Sequence, residues 1–212
     1  MKYHDFRRQY LMGGLRREDL NESPYVQFKI WLEHAISSEI RDPTAMCLAT
    51  IDKKGKLWQR IVLMKDFSNR GFTFFSNYKS TKGLAISHNP QVSLVFPWNE
   101  LDRQVIVGGL AERISREESA AYFVSRPRQS QLVALASRQS SSIADRETMV
   151  TMVRELDKRY ADQEIPLPED WGGYRVKPFR IEFWQGGENR LHDRFIYELD
   201  VDHLWQIKRL QP

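Results

Sequence analysis

The sequence predicts a mainly β protein with flanking helices, its strands forming an antiparallel barrel. Between Thr44 and Ile114, five short apolar runs follow one another at close spacing, parted by turn-forming clusters. No long crossover helix separates them, as a parallel βαβ sheet would need. The chain has 212 residues, 41% hydrophobic and 28% charged, which suits one sizeable core and is short for two full domains. One domain over 1–212 is therefore expected.

Each element follows from its own pattern. Residues 1–20 are polar, contain the pair Gly13 and Gly14, and read as a short helix or a mobile arm. Ser23 and Pro24 offer a cap and a first helical residue. Phe28, Trp31, Leu32, Ala35 and Ile36 then recur at helical spacing, so a helix is expected over 23–40. "TAMCLATID" and "WQRIVLMKDF" flank "KKGK", a hairpin-like break, and "SNRG" precedes "GFTFFSN". "STKGLAISHN" is expected as one short helix, and "QVSLVFPW" and "RQVIVGGLAERI" as further strands. From Arg116 to Gln163 three helical patterns succeed one another: "EESAAYFVSR", "SQLVALAS" and "DRETMVTMVRELDKRYADQ". "IPLPEDWGGY" (165–174) is rich in Pro and Gly and reads as a loop. Three strands close the chain: "YRVKPFRIEFWQ", "LHDRFIYELD" and "LWQIKRLQ".

Several function classes find no support. The net charge is +4, but no run of Lys or Arg exceeds two residues, so no nucleic-acid tail is expected. The longest apolar runs are far too short to cross a bilayer, and "MKYHDFRRQY" has no apolar signal region. Cys47 is the one cysteine and can form no internal disulfide, so a cytoplasmic protein is expected. The five histidines, His4, His34, His88, His192 and His203, show no metal-ligand spacing, and no metal is expected. No nucleophile elbow, dinucleotide fingerprint or P-loop is present.

The cations recur instead as isolated residues inside apolar segments, a pattern of pockets rather than of a surface stripe. In "QRIVLMK" (59–65) a strand would put Arg60 on one face and Lys65 on the other. They either reach solvent at a sheet edge or offer charge to an anion such as phosphate. In "AAYFVSRPRQSQ" (120–131), Tyr122 and Arg126 can share a helix face, with Ser130 close by. That set is either a solvated helix end or a phosphate cradle. "SRQSS" (137–141) is a cluster of short donors expected before a helix, as a cap or an anion site. In "WQGGENRLHDR" (184–194) a strand would align Arg190, His192 and Arg194 on one face and Asp193 on the other. The flanking Phe183, Trp184 and Phe195 make it half buried, so the cations either balance Glu188 and Asp193 or meet an anionic partner.

These segments resemble the pyridoxine (pyridoxamine) 5′-phosphate oxidase family. The matching pieces stand in the family's order from about residue 7 onward: "RRQY", "GGLRREDL", "DPTAM", "QRIVLMK", "FFSNYKSTKG", "NPQVSLVFPW", "LDRQV", "YFVSRPRQSQ", "SRQSS", "PLPEDWGGYRV" and "IEFWQGGENRLHDR". The resemblance implies an FMN-binding split β-barrel and a homodimer with FMN at the subunit interface. It implies oxidation of pyridoxine or pyridoxamine 5′-phosphate to pyridoxal 5′-phosphate. Hydride would pass from substrate C4′ to flavin N5, and dioxygen would be reduced to hydrogen peroxide. By position, Arg60, Ile61, Val62, Leu63, Met64, Lys65, Phe75, Ser76, Lys82, Gln104, Gln139, Ser140, Trp184 and Arg194 match the family's FMN contacts. Lys65, Tyr122, Arg126 and Ser130 match its cradle for the substrate phosphate. Arg190 and His192 match its catalytic residues over the substrate ring, and Arg7 and Tyr10 an arm that closes on the substrate. Where the family usually places an arginine against the FMN phosphate, this chain has Thr81, so weaker FMN retention is expected. The alternatives are another split-barrel flavoprotein, such as a phenazine-pathway oxidase, or a non-catalytic carrier of flavin or pyridoxal phosphate.

Overall fold

The computed structural model describes residues 9–10 and 13–212. Helix α1 (Pro24–Ser37) precedes four strands, β1 (Ala45–Ile51), β2 (Leu57–Leu63), β3 (Asp66–Ser68) and β4 (Gly71–Asn77). Helix α2 (Thr81–His88) leads to β5 (Gln91–Trp98) and β6 (Arg103–Arg113). Three helices follow, α3 (Arg116–Ser125), α4 (Arg128–Ala136) and α5 (Arg146–Arg159), and then β7 (Trp171–Gln185), β8 (Asp193–Leu199) and β9 (Trp205–Leu210).

All strand pairings are antiparallel, in the order β2-β1-β5-β6-β7-β4-β3. The sheet branches at β7, a strand of 15 residues. Its first half pairs with β4, from Trp171 opposite Asn77 to Val176 opposite Phe72. Its second half pairs with β8, from Arg180 opposite Glu198 to Gln185 opposite Asp193, and β9 follows β8. The sheet curls into an antiparallel half-barrel with the helices at its flanks, the architecture expected from the strand density.

Burial explains the curl. Phe28 of α1 is fully buried, with ring centroids 4.6 Å from Phe67, 4.9 Å from Phe72 and 4.9 Å from Phe96. Removing a ring of this kind costs about 3–5 kcal/mol. Ile36, expected on the same helix face, is 54% exposed instead, because α1 meets the sheet on a narrower stripe of Phe28, Trp31 and Ala35. Leu15 and Leu20 also join this core, so the chain is docked within the expected N-terminal arm. Arg7 lies outside the described residues.

A second apolar cluster holds Phe123, Leu132, Ile165 and Trp171 under the three consecutive helices. The expected loop over 165–174 is thus anchored at both ends, and β7 already begins at Trp171. Among the described residues no helix is long and apolar enough to cross a membrane.

Candidate active site

Six segments frame a cavity of about 370 Å³. Strand β2 supplies Arg60, Ile61, Val62 and Leu63, with Lys65 just beyond its end; β4 supplies Phe75 and Ser76; α2 supplies Lys82. Tyr122 and Arg126 come from the end of α3, Gln139 from the chain after α4, and Trp171 from the start of β7. Four of these residues are cationic, and among the described residues that line the cavity none is acidic.

Lys82 is buried, and its Nζ donates to neutral oxygens: Ser76 Oγ at 3.1 Å, Gln139 Oε1 at 3.0 Å and Ser80 Oγ at 3.4 Å. Burial, reinforced by the nearby Arg60 guanidinium, pushes its pKa down from 10.5 to about 8. Arg60 likewise meets neutral acceptors, Leu48 O at 3.2 Å and Thr50 Oγ1 at 2.8 Å, and burial pulls its pKa down. Both cations are held by dipoles, and among the described residues no carboxylate neutralises them. A phosphate dianion fits such a place.

Beside them runs an aromatic stack. Phe75 lies 3.8 Å from Tyr122 and 5.4 Å from Trp171, with nearly parallel planes. Arg126 sits 4.8 Å over Trp171, and its buried Nη1 has no hydrogen-bond partner among the described residues. An orphaned guanidinium nitrogen in an acid-free cavity marks room for a second anionic group. Gly173 lets the stack close, since a Cβ there would stand 3.0 Å from the Phe75 ring and 2.4 Å from Ile114. Burial raises the pKa of Tyr122, with Arg126 opposing, so at neutral pH its hydroxyl is a donor.

The other expected residues stand elsewhere. Met64 is buried in the main core and does not line the cavity. Thr81 is exposed in the first turn of α2, and Ser130 lies in the first turn of α4. "SRQSS" does not cap the helix that follows it: Ser137 ends α4 as its C-cap, Ser141 N–H bonds Arg138 O in a turn, Ser140 adopts a left-handed φ of 73°, and Asp145 caps α5.

Gln104, Trp184, Arg190, His192 and Arg194 form a separate group. Gln104 faces Trp184 across β6 and β7, and Trp184 faces Arg194 across β7 and β8. Trp171 opens β7 while Trp184 stands near its far end. Thirteen steps of about 3.3 Å put roughly 40 Å of strand between them. The structure therefore does not bring the two groups into one pocket of one chain.

In this second group the chain breaks between β7 and β8, where one strand was expected to end at Gln185 and the next to begin at Leu191. Glu188–Arg190 make a 3-10 turn, with Asn189 and Arg190 at φ of 52° and 64°, and β8 starts only at Asp193. Strict alternation of Arg190, His192 and Arg194 on one face therefore fails. The Gly187 N–H donates to His192 Nδ1 at 3.1 Å, which leaves the proton of the neutral ring on Nε2. His192 packs 4.7 Å from Trp184, and Tyr10 edges onto both at 5.7 Å and 5.3 Å. Arg194 is bound by the buried Glu182 at 2.8 Å, not balanced by Glu188 or Asp193.

Two supporting residues went unread in the sequence. Trp171 floors the cavity but was hidden in a Pro- and Gly-rich stretch. Arg103 lies 4.5 Å over Trp31 and donates to Gln185 Oε1 at 2.8 Å, bracing the strand end that carries Trp184.

A family model described as "Pyridoxamine 5'-phosphate oxidase" matches residues 32–160, and one described as "Pyridoxine 5'-phosphate oxidase C-terminal dimerisation region" matches 171–212. The chain is 51% identical to a pyridoxine/pyridoxamine 5′-phosphate oxidase of Vibrio vulnificus and 53% identical to one of Teredinibacter turnerae, each over 100% of both chains. Among solved structures it is similar to PhzG from Burkholderia lata 383, crystallised with tetrahydrophenazine-1-carboxylic acid. That match has a TM-score of 0.88 at 29% identity and covers 93% of this chain and 98% of the other. A Nostoc punctiforme FMN-binding protein shares the fold at a TM-score of 0.74 and 13% identity, covering 91% and 100%. With matched models over most of its length and full-length relatives at half identity, the chain belongs to the pyridoxine/pyridoxamine 5′-phosphate oxidase family.

Proposed function

We propose that the protein is an FMN-dependent oxidase that converts pyridoxine or pyridoxamine 5′-phosphate to pyridoxal 5′-phosphate. The observation that carries this reading is the acid-free cavity in which Arg60, Lys65, Lys82 and Arg126 converge on an aromatic stack. Such a cavity suits two phosphate monoesters attached to planar rings, one on the cofactor and one on the substrate. FMN, when bound, supplies the hydride acceptor and passes the electrons to dioxygen as hydrogen peroxide.

The chain's own part is to bind and orient. Arg60, Ser76, Lys82 and Gln139 hold the flavin phosphate, with Ile61, Val62, Leu63, Phe75 and Ser140 along the flavin, while Met64 backs β2 from the core. Lys65, Tyr122, Arg126 and Ser130 hold the substrate phosphate. Gln104, Trp184 and Arg194 complete the flavin site from a second copy, since one chain keeps them roughly 40 Å of strand away. A homodimer with FMN at the subunit interface follows, and the match to a dimerisation region over 171–212 supports it. His192, its Nδ1 engaged by Gly187, presents Nε2–H to the substrate ring; it and Arg190 orient the reacting carbon rather than serve as an indispensable base.

The test is a peroxide assay on FMN-loaded protein. Pyridoxine 5′-phosphate should yield one hydrogen peroxide per pyridoxal phosphate, and pyridoxamine 5′-phosphate should also release ammonia. Bound flavin with no turnover of either compound would sink the reading and leave a carrier.

A further inference from the structure

Asp193 joins the candidate site to two remote parts of the chain. It is the first residue of β8, directly after His192 and opposite Gln185. One carboxylate oxygen accepts the Leu15 backbone N–H at 3.0 Å, across 178 positions of sequence. The other accepts from the Arg209 guanidinium of β9. The side chain is only 18% exposed. A Cβ on Gly14 would stand 3.2 Å from the same carboxylate, so the N-terminal segment lies directly against it.

The segment so held carries an aromatic residue onto the site. Tyr10 packs edge-on against Trp184 and His192. It also covers Gly186, where a Cβ would come within 2.6 Å of its ring. Gly13 lies between Tyr10 and the anchored Leu15, at a left-handed φ of 94° with open space around it. That is a place where the chain can turn. Leu15 is buried in the core, and its backbone N–H needs an acceptor there.

We propose that Asp193 is a positioning residue, a latch that anchors the N-terminal segment at Leu15 and thereby holds Tyr10 over Trp184 and His192. A carboxylate suits the task because it accepts from an amide and a guanidinium at once. Asparagine that still accepts from Leu15 turns its NH2 donor toward Arg209. Alanine serves neither. Asp193 acts through Tyr10 and touches neither substrate nor flavin. The kinetic consequence rests on the oxidase reading above; the anchoring does not.

Two measurements on the flavin-loaded full chain test it, with Asp193→Ala and the isosteric Asp193→Asn. Limited trypsin digestion under native conditions reads the anchor directly through cleavage after Arg16 and Arg17, which follow the latched residue. Cleavage there should be about fivefold faster in Asp193→Ala and intermediate in Asp193→Asn, with other sites cut at the wild-type rate. Steady-state kinetics with pyridoxine 5′-phosphate should show KM raised about tenfold and kcat within about twofold in Asp193→Ala, with partial rescue in Asp193→Asn. Wild-type cleavage and KM in both variants would overturn the latch. So would a general rise in cleavage along the whole chain with kcat lost in parallel, which marks mere loss of fold. If Asp193→Ala fails to fold, Asp193→Asn carries the same comparison. Wild-type protein with no turnover would overturn the oxidase reading, while the cleavage rates still decide the latch.

Discussion

Lys82 Nζ lies 3.0 Å from Gln139 Oε1, a contact between α2 and the chain beyond α4 that gives a buried ammonium a dipole for a partner where a carboxylate would be usual. Its pKa, near 8 in the flavin-free protein, makes two effects pH-dependent. FMN binding needs the ammonium, so affinity should hold between about pH 7 and 8 and fall above it, by up to tenfold per unit. Stability should move the other way. The unfolded chain keeps its proton up to 10.5 while the folded one releases it near 8, so flavin-free protein gains stability as pH rises between those values. Lys82→Met should abolish both trends, raise the melting temperature of the flavin-free protein at pH 7 and weaken FMN binding at least tenfold. Flavin-fluorescence titrations across pH, beside thermal melts, check this. A pH-independent wild-type affinity between 7 and 9.5 would contradict it.

A second prediction concerns the neighbouring position. Thr81 is exposed at the first turn of α2, beside Lys82. An arginine there could reach an anion in the cavity and add one charge-assisted contact, discounted for its exposure. Thr81→Arg should tighten FMN about fivefold, roughly 1 kcal/mol. Equal dissociation constants for the two apoproteins would refute the idea that the threonine weakens flavin retention.

Much of this architecture was legible in the chain. The strands from β1 to β6 announce themselves because alternating apolar residues and tight turns leave little other choice. The cations of the cavity stood out as isolated charges in apolar runs. Three features were illegible for physical reasons. The break between β7 and β8 was expected, but the left-handed backbone at Asn189 and Arg190, which takes Arg190 out of any strand alternation, is one that no glycine at those positions signals. Trp171 belongs to the second core through contacts with helices far off in sequence. The gap between the two groups of site residues depends on β7 beginning at Trp171, three residues ahead of the strand expected from Tyr174, a tertiary outcome that spacing does not encode.

A third prediction separates stacking from hydrogen bonding in the substrate cradle. Tyr122 stacks on Phe75 at 3.8 Å, and its hydroxyl is available as a donor. Tyr122→Phe keeps the ring and removes the donor, so KM for pyridoxine 5′-phosphate should rise about tenfold with FMN affinity unchanged. Trp171→Ala removes the floor under Arg126 and opens the second core. It should cost about 3–5 kcal/mol of stability and weaken flavin and substrate together. Stopped-flow substrate binding and denaturant unfolding distinguish the two. Matching profiles for both variants would mean that the stack, and not the hydroxyl, does the binding.

The last prediction bears on how Arg194 variants are read. The Arg194 guanidinium lies 2.8 Å from Glu182, a carboxylate that is 3% exposed, with Arg180 more distant at 3.8 Å. Removing the arginine leaves a buried charge with its nearer partner gone, at a cost of about 3 kcal/mol. Arg194→Ala should therefore lose stability as well as flavin affinity. Activity alone would then overstate its role in the flavin site. Replacing both partners removes the buried charge, so Arg194→Met with Glu182→Leu should recover most of the stability while flavin affinity stays low. Urea unfolding of the two single variants and the double variant, paired with FMN titration of each, makes the separation. If the double variant binds FMN like wild type, Arg194 is a structural partner of Glu182 and no flavin ligand. If it stays as unstable as Arg194→Ala, the loss comes from packing around β7 and β8 rather than from the orphaned carboxylate.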